Sequence, residues 1–427
     1  MAENGQGIET KEPLKKKKVT AITITLIIAI AASILGYITY KNNELIESYK
    51  NKVYPGVYVF DTDVSGMTES QLNETLKSMI NEVSKKSINV TIGEQVFEKL
   101  YLNLGVSIDY DAFQKEILAY GKDKDREDKL IMINEPEDKV YEYKLKYEQK
   151  HVDEFINSIA ESVKIAPLDA KVSINGGSVD ITDGQAGKQL NIEELNTNII
   201  ATITNVESEN ITNIAGNLTD VTAKVTKDSL QQINHKISSF TTQFRYGPSG
   251  ENLVTASEYV DDTLIMPGEV FSFSEAMGPT TIERGFVSSN AYANGEVIQS
   301  IGGGICQLSS TVYGAQLRAG ILPKQRMNHM MTVSYVPLGL DATIADGFID
   351  LQFENKYPYP IVINAYATGL SMTVEFWSNE ATLNGVRYEP KSYPNGAYYA
   401  DTYLYGYNSN NELVYEKYVD NSTYQPF

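Results

Sequence analysis

The chain has 427 residues, 42% of them hydrophobic and 21% charged, which is too long for one ordinary core and too apolar for global disorder. Its 36 Lys+Arg against 55 Asp+Glu give a net charge of −19, which argues against a phosphate-binding groove and so against a nucleic-acid partner. A single cysteine excludes an intramolecular disulfide, a zinc ribbon or a Cys-x-x-Cys redox centre. Three well-separated histidines, His151, His235 and His329, argue against a histidine-rich metal site, so no metal or organic cofactor is expected.

Residues 11–18 read KEPLKKKK, and residues 19–40 carry no charge. About 20 apolar residues span a bilayer as a helix. A cleaved signal peptide would have a shorter apolar region and a small-x-small site; here the run ends in Gly36-Tyr37-Ile38-Thr39-Tyr40, with tyrosines suited to the interface. The lysines precede the span, so residues 1–18 are expected in the cytoplasm, 19–40 in the cell membrane as a single pass, and the rest outside.

Residues 41–227 read as a repeated small α+β unit. Thr68-Glu69-Ser70-Gln71 matches a capping box, followed at helical spacing by Leu72, Leu76, Met79, Ile80 and Val83. Ile88, Val90 and Ile92 alternate as a strand, and a second strand follows the turn at Gly93-Glu94. The charge run 122–129 is expected to be a solvated connector. A helix is predicted over 150–164, a hairpin turn at Asn175-Gly176-Gly177, and a capped helix from Asn191 through Leu195, Ile199, Ile200 and Ile203.

Chemistry concentrates in residues 228–378. Gly302-Gly303-Gly304 precedes Ile305-Cys306, and Leu308, Val312, Ala315 and Leu317 predict a helix with one buried side, ending at Gly320. A thiol in the first turn of a helix feels the field of its unpaired N–H groups, which favours the thiolate. His329 precedes an apparent alternating strand over 331–336, where it would act as general base and acid for Cys306. An orienting carboxylate is expected among Asp341, Asp346 and Asp350, with Asp341 ranked first because Pro337-Leu338-Gly339-Leu340 can fold it back. The competing reading is a buried, inert cysteine. No Gly-x-Ser-x-Gly elbow accompanies Ser309 or Ser310.

Residues 379–427 are rich in tyrosine, including Tyr393, Tyr403, Tyr405, Tyr418 and Tyr424, and read as added strands, with sugar stacking as the sharper alternative.

Two resemblances refine this reading. Tyr54-Pro55-Gly56-Val57 through Val64-Ser65-Gly66-Met67-Thr68, and Asp169-Ala170-Lys171 through Gly184-Gln185-Ala186-Gly187, resemble the peptidoglycan-binding domain that accompanies wall-modifying domains in Gram-positive bacteria, with a spacer that holds the next module away from the membrane as the equal alternative for residues 41–227. More specifically, Met266-Pro267-Gly268-Glu269-Val270-Phe271-Ser272-Phe273, Gly278-Pro279, Arg284-Gly285-Phe286, Gly302-Gly303-Gly304-Ile305-Cys306-Gln307-Leu308-Ser309-Ser310-Thr311, Arg326, His329 and Asp350-Leu351-Gln352-Phe353-Glu354-Asn355 resemble a VanW domain. Met330 departs from the serine expected beside the histidine.

The overall layout is similar to that of the VanW-type L,D-transpeptidases of clostridia. That resemblance implies thioester chemistry at Cys306 on peptidoglycan stem peptides, with His329 and Asp341 in support. Gly303, Gly304, Gln307 and Ser309 are then expected at the oxyanion and substrate, and Arg284, Arg318 and Arg326 either as holders of stem carboxylates or, equally, as structural salt bridges or surface charge. The expected partners are stem peptides, glycan strands and the cytoplasmic membrane. An L,D-carboxypeptidase or endopeptidase with the same thiol, or a non-catalytic wall-binding scaffold, are the alternatives.

Overall fold

The computed structural model describes residues 14–293, 296–345 and 347–426; Asp346 and most of the expected cytoplasmic tail lie outside the described residues. The architecture is mixed α+β. Among the described residues one helix, Leu14–Ser48, is long and apolar enough to cross a membrane. The chain divides into two compact units: residues 1–164 with 189–219, which include this helix, and residues 165–188 with 220–427.

In the first unit, Thr68 accepts from the Gln71 N–H while the Gln71 side chain accepts from the Thr68 N–H, which starts the helix Glu69–Ser84. Leu72, Leu76 and Val83 on one face of that helix are buried. The strand Ser87–Ile92 follows directly. Helix Ile192–Ile203, capped by Asn191, likewise leads to strand Ile211–Ala215. The two strands pair in parallel, and Gln95–Leu100 adds an antiparallel edge. The repeated helix–strand unit read from the sequence thus shares one sheet and one core, to which helix Gln149–Val163 contributes Val152, Phe155, Ile156 and Ile159.

The charge run 122–129 is more than a connector. Asp125 caps a helix over Arg126–Asn134. Lys122 sits 3.7 Å over the Tyr54 ring and donates to the carbonyl oxygens of Tyr49 and, at 2.7 Å, Lys52. Burial is the main cause that pulls its pKa down to about 8. Spacing along a sequence does not reveal that a lysine in a polar run will lie on an aromatic face.

In the second unit, a four-stranded antiparallel sheet runs in the order His235–Gln243, Ser371–Ser378, Ile361–Thr368, Thr263–Ile265. The hairpin of Lys171–Asn175 and Ser178–Thr182 belongs to this unit, and Gly176 and Gly177 supply the two positive φ angles of its turn. It is fixed there because Ile174 N–H donates to Asp262 Oδ1 at 2.9 Å and because Val172 and Ile174 bury with Leu230, Val362 and Trp377.

The helix Cys306–Arg318 packs on the central sheet. Every residue from Leu308 to Leu317 is buried, so the expected single apolar side gives way to a helix enclosed all round. Gly314 permits the approach: a Cβ there would come 2.1 Å from the Phe240 ring. A three-stranded antiparallel sheet of Arg387–Pro394, Tyr399–Tyr407 and Leu413–Thr423 completes the unit, as the tyrosine-rich sequence leads one to expect.

Candidate active site

Cys306 opens the enclosed helix. Ahead of it the three glycines form a turn that admits no side chain. A Cβ on Gly303 would lie 2.5 Å from the Asn290 carbonyl oxygen, and Gly304 adopts φ +105° with Ser249 against it. Among the described residues, the N–H groups of Gly304 and Cys306 have no protein acceptor. Of these two, the Cys306 N–H lies in the first turn of the helix, which among the described residues keeps that donor free.

The sulfur is half-buried and lies 3.7 Å from both Thr343 Oγ1 and the Ile344 carbonyl oxygen. Burial alone would push the thiol up. The charge of His329 outweighs that with the help of Ile344 and Thr343, and holds the thiol below its ordinary value, while the sulfur's hydrogen-bonding contacts among the described residues are Thr343 and Ile344. Burial likewise opposes the charge on His329, but Asp341 and Cys306 together raise its pKa to about 9. The two groups are coupled, and both shifts favour a thiolate–imidazolium pair.

Asp341 is fully buried. Its Oδ2 accepts from the His329 backbone N–H and from Nδ1, each at 2.7 Å. Its Oδ1 accepts from Arg326 Nη2 at 3.2 Å and from the Tyr424 hydroxyl. Burial would raise this carboxyl, yet His329 and Arg326 hold it below the usual range. With Nδ1 committed to Asp341, Nε2 is the ring nitrogen left for the thiol side, and the Tyr335 hydroxyl lies 3.4 Å from it. Asp350 is elsewhere, bonded to Ser272, Ser274 and Gln352.

Several expectations change. Residues 331–336 form no strand; the segment is irregular because, apart from an isolated bridge from Met331 to Gln425, it finds no partner. Its bend carries Tyr335 onto His329. Met330 is exposed, and its carbonyl accepts from Gln425 N–H at 2.7 Å.

The arginines are not free clamps for a substrate carboxylate. Arg284 donates to the Met277 and Pro279 carbonyls and stacks on Tyr259. Arg318 donates to the Gly314 carbonyl at 2.8 Å and covers Phe240. Arg326, with a side chain 1% exposed, is bound to Asp341 and Asp420.

Nor does Ser309 face a substrate. It is fully buried and donates to the Ala342 carbonyl at 2.6 Å, while Ser310 both donates to that carbonyl and accepts from the Ala342 N–H. Gln307 is bound to Thr242 and to the Gln243 carbonyl. These polar residues lock the thiol helix to the sheet and to the segment bearing Asp341. Sequence reading placed Tyr335 in the VanW pattern without a role at the site, and it missed Tyr424, 83 positions from its partner Asp341.

Residues 249–377 match the family described as VanW like protein, and residues 98–212 match the family described as "Putative peptidoglycan binding domain". The chain is 35% identical over 164 residues to the uncharacterized protein YoaR of Bacillus subtilis, an alignment covering 38% of this chain and 54% of that protein. It is 32% identical over 109 residues to the vancomycin B-type resistance protein VanW of Enterococcus faecalis, covering 24% of this chain and 40% of that protein. The chain thus spans about half or less of the curated relatives it matches. No solved structure matches it. The chain carries a VanW-like domain that contains Cys306, His329 and Asp341, preceded by a region that matches the "Putative peptidoglycan binding domain".

Proposed function

We propose that this protein is a cysteine-dependent L,D-transpeptidase of the cell wall, anchored by Leu14–Ser48 with its two folded units outside the membrane. The observation that carries the reading is the half-buried Cys306 at a helix start, its thiol held low by the charge of His329, with His329 itself bonded through Nδ1 to a fully buried Asp341. A thiol that merely fills space needs neither a charged histidine nor a buried carboxylate behind it.

The thiolate attacks the carbonyl carbon of the third stem residue. The negative charge that moves onto the carbonyl oxygen is met by the free N–H groups of Gly304 and Cys306, with Gly303 keeping the turn close. Collapse breaks the amide C–N bond, and the imidazolium of His329 gives its proton to the departing D-alanine. The resulting thioester is attacked by the side-chain amine of a neighbouring stem. The C–S bond breaks, the amine proton returns to His329, and the thiolate is restored. Asp341 keeps Nδ1 protonated throughout and so aims Nε2 at the reaction.

Incubating the purified chain with a disaccharide-tetrapeptide and analysing products by mass spectrometry tests the reaction class. A dimer lacking one D-alanine, absent with Cys306→Ala, is the expected result. Tripeptide without dimer assigns the thiol to hydrolysis by water, and unchanged substrate with several acceptor amines favours a wall-binding scaffold.

A further inference from the structure

The matched VanW-like region ends at residue 377, yet the chain that follows is built into the catalytic cluster. The last strand, Leu413–Thr423, and the two residues after it touch the segments carrying His329 and Asp341 at several points. Asp420 and Ser422 meet Arg326 Nη1 at 3.3 and 2.8 Å. Asn328 donates to the Thr423 carbonyl, and Gln425 N–H donates to the Met330 carbonyl, on either side of His329.

Tyr424 lies at the centre of these contacts. Its side chain is buried, its hydroxyl accepts from the Gly339 N–H at 2.8 Å, and it donates to Asp341 Oδ1. Asp341 therefore has one oxygen committed to His329 and the other held by Arg326 and Tyr424. A carboxylate fixed at both oxygens cannot rotate away from the imidazole.

We infer that Tyr424 is a positioning residue of the thiol site, acting through Asp341 to hold His329 against Cys306, so that the catalytic unit extends past the VanW-like domain into the C-terminal sheet. The inference rests on the reading of Cys306 as the reactive thiol. It gives part of the tyrosine-rich extension a catalytic role distinct from the outward-facing Tyr403 and Tyr405 on the neighbouring strand.

The test is the pH profile of iodoacetamide alkylation of Cys306 in the full chain. Tyr424→Phe keeps the buried ring and removes only the hydroxyl, and circular dichroism verifies its fold. Tyr405→Phe, on the outer face of the same sheet, is the control. At about pH 6.5, below the ordinary thiol range, Tyr424→Phe is expected to alkylate about tenfold more slowly than wild type, with the acid limb moved to higher pH. Tyr405→Phe should overlay wild type. Added to Asp341→Asn, Tyr424→Phe should have no further effect, because its route is already broken.

A reactive wild-type thiol with an unchanged Tyr424→Phe profile overturns the role of Tyr424 alone. An equal slowing in the Asp341→Asn background overturns the route through Asp341. A wild-type thiol that titrates like an ordinary cysteine removes the underlying reading, and the role of Tyr424 with it.

Discussion

Replacing His329 with alanine should reduce turnover by about 10²–10⁴-fold, the range associated with loss of a positioned acid–base group. The same change should move the acid limb of Cys306 alkylation up to about pH 8.5 or above, where an unassisted thiol ionises. The sign follows from the two shifts. In the native protein the thiol is held low and the imidazole is raised to about 9, so the ion pair exists between the two. Below that window the thiolate is protonated; above it the imidazolium loses its proton, and the thiolate remains without an acid for the leaving amine. Removing the imidazole leaves burial as the largest influence on the sulfur, and burial raises a thiol pKa. Stopped-flow alkylation between about pH 5 and 10 measures the limb directly. An unchanged limb in the alanine variant would show that His329 does not set the state of Cys306.

Arg326→Ala should destabilise the VanW-like unit by about 3–5 kcal/mol, because it leaves one side of a buried ion pair without its partner. The Arg326 and Asp341 side chains are each 1% exposed. The guanidinium also donates to the Asp341 and Gly339 carbonyls, so its removal leaves backbone acceptors unmet as well. Asp420 is open to solvent and should add little. Arg326→Lys should recover only part of the loss, since a single ammonium cannot reach the same set of acceptors.

A pH signature accompanies this. Asp341 in the folded protein lies below its unfolded value, so the stability it contributes is present above that unfolded value, near pH 4, and is lost as pH falls through the depressed one. Without Arg326 the folded value rises, and that contribution shrinks. Urea unfolding near neutral pH and well below pH 4 separates the two effects. A change below about 1 kcal/mol at neutral pH would mean that Asp341 does not depend on Arg326.

What the sequence made legible was local. The capping box at Thr68, the Asn175-Gly176-Gly177 turn and the helix opened by Cys306 each follow from residues within a few positions of one another. The membrane-length helix follows from an uninterrupted apolar run. The failures are non-local. Met331 to Val336 alternate enough to suggest a strand, but pattern alone provides no neighbour to pair with. For Arg284, Arg318 and Arg326 the sequence left substrate clamp and structural role open, because it does not show which carbonyls or aromatic rings will surround them; the structural role is the one observed. Ser309 sits beside the thiol in sequence, yet the helix turns its hydroxyl to Ala342. Tyr424 was one tyrosine among many, and only the fold brings it to Asp341.

The proposed chemistry also separates residues that touch substrate from those that hold them in place. Cys306, His329 and the free N–H groups of Gly304 and Cys306 belong to the first group. Asp341, Arg326, Ser309, Ser310 and Tyr424 belong to the second, so their removal should act through geometry and protonation rather than substrate affinity.

The most direct test is to trap the acyl-enzyme. The full chain is mixed with a stem tetrapeptide in the absence of an acceptor amine, quenched in acid, and its intact mass and peptide map are recorded. The expected result is an adduct equal to the donor minus D-alanine, carried by the peptide containing Cys306, sensitive to hydroxylamine and missing from Cys306→Ala. Turnover of the tetrapeptide by Cys306→Ala at the wild-type rate, with no adduct on the wild-type thiol, would contradict it.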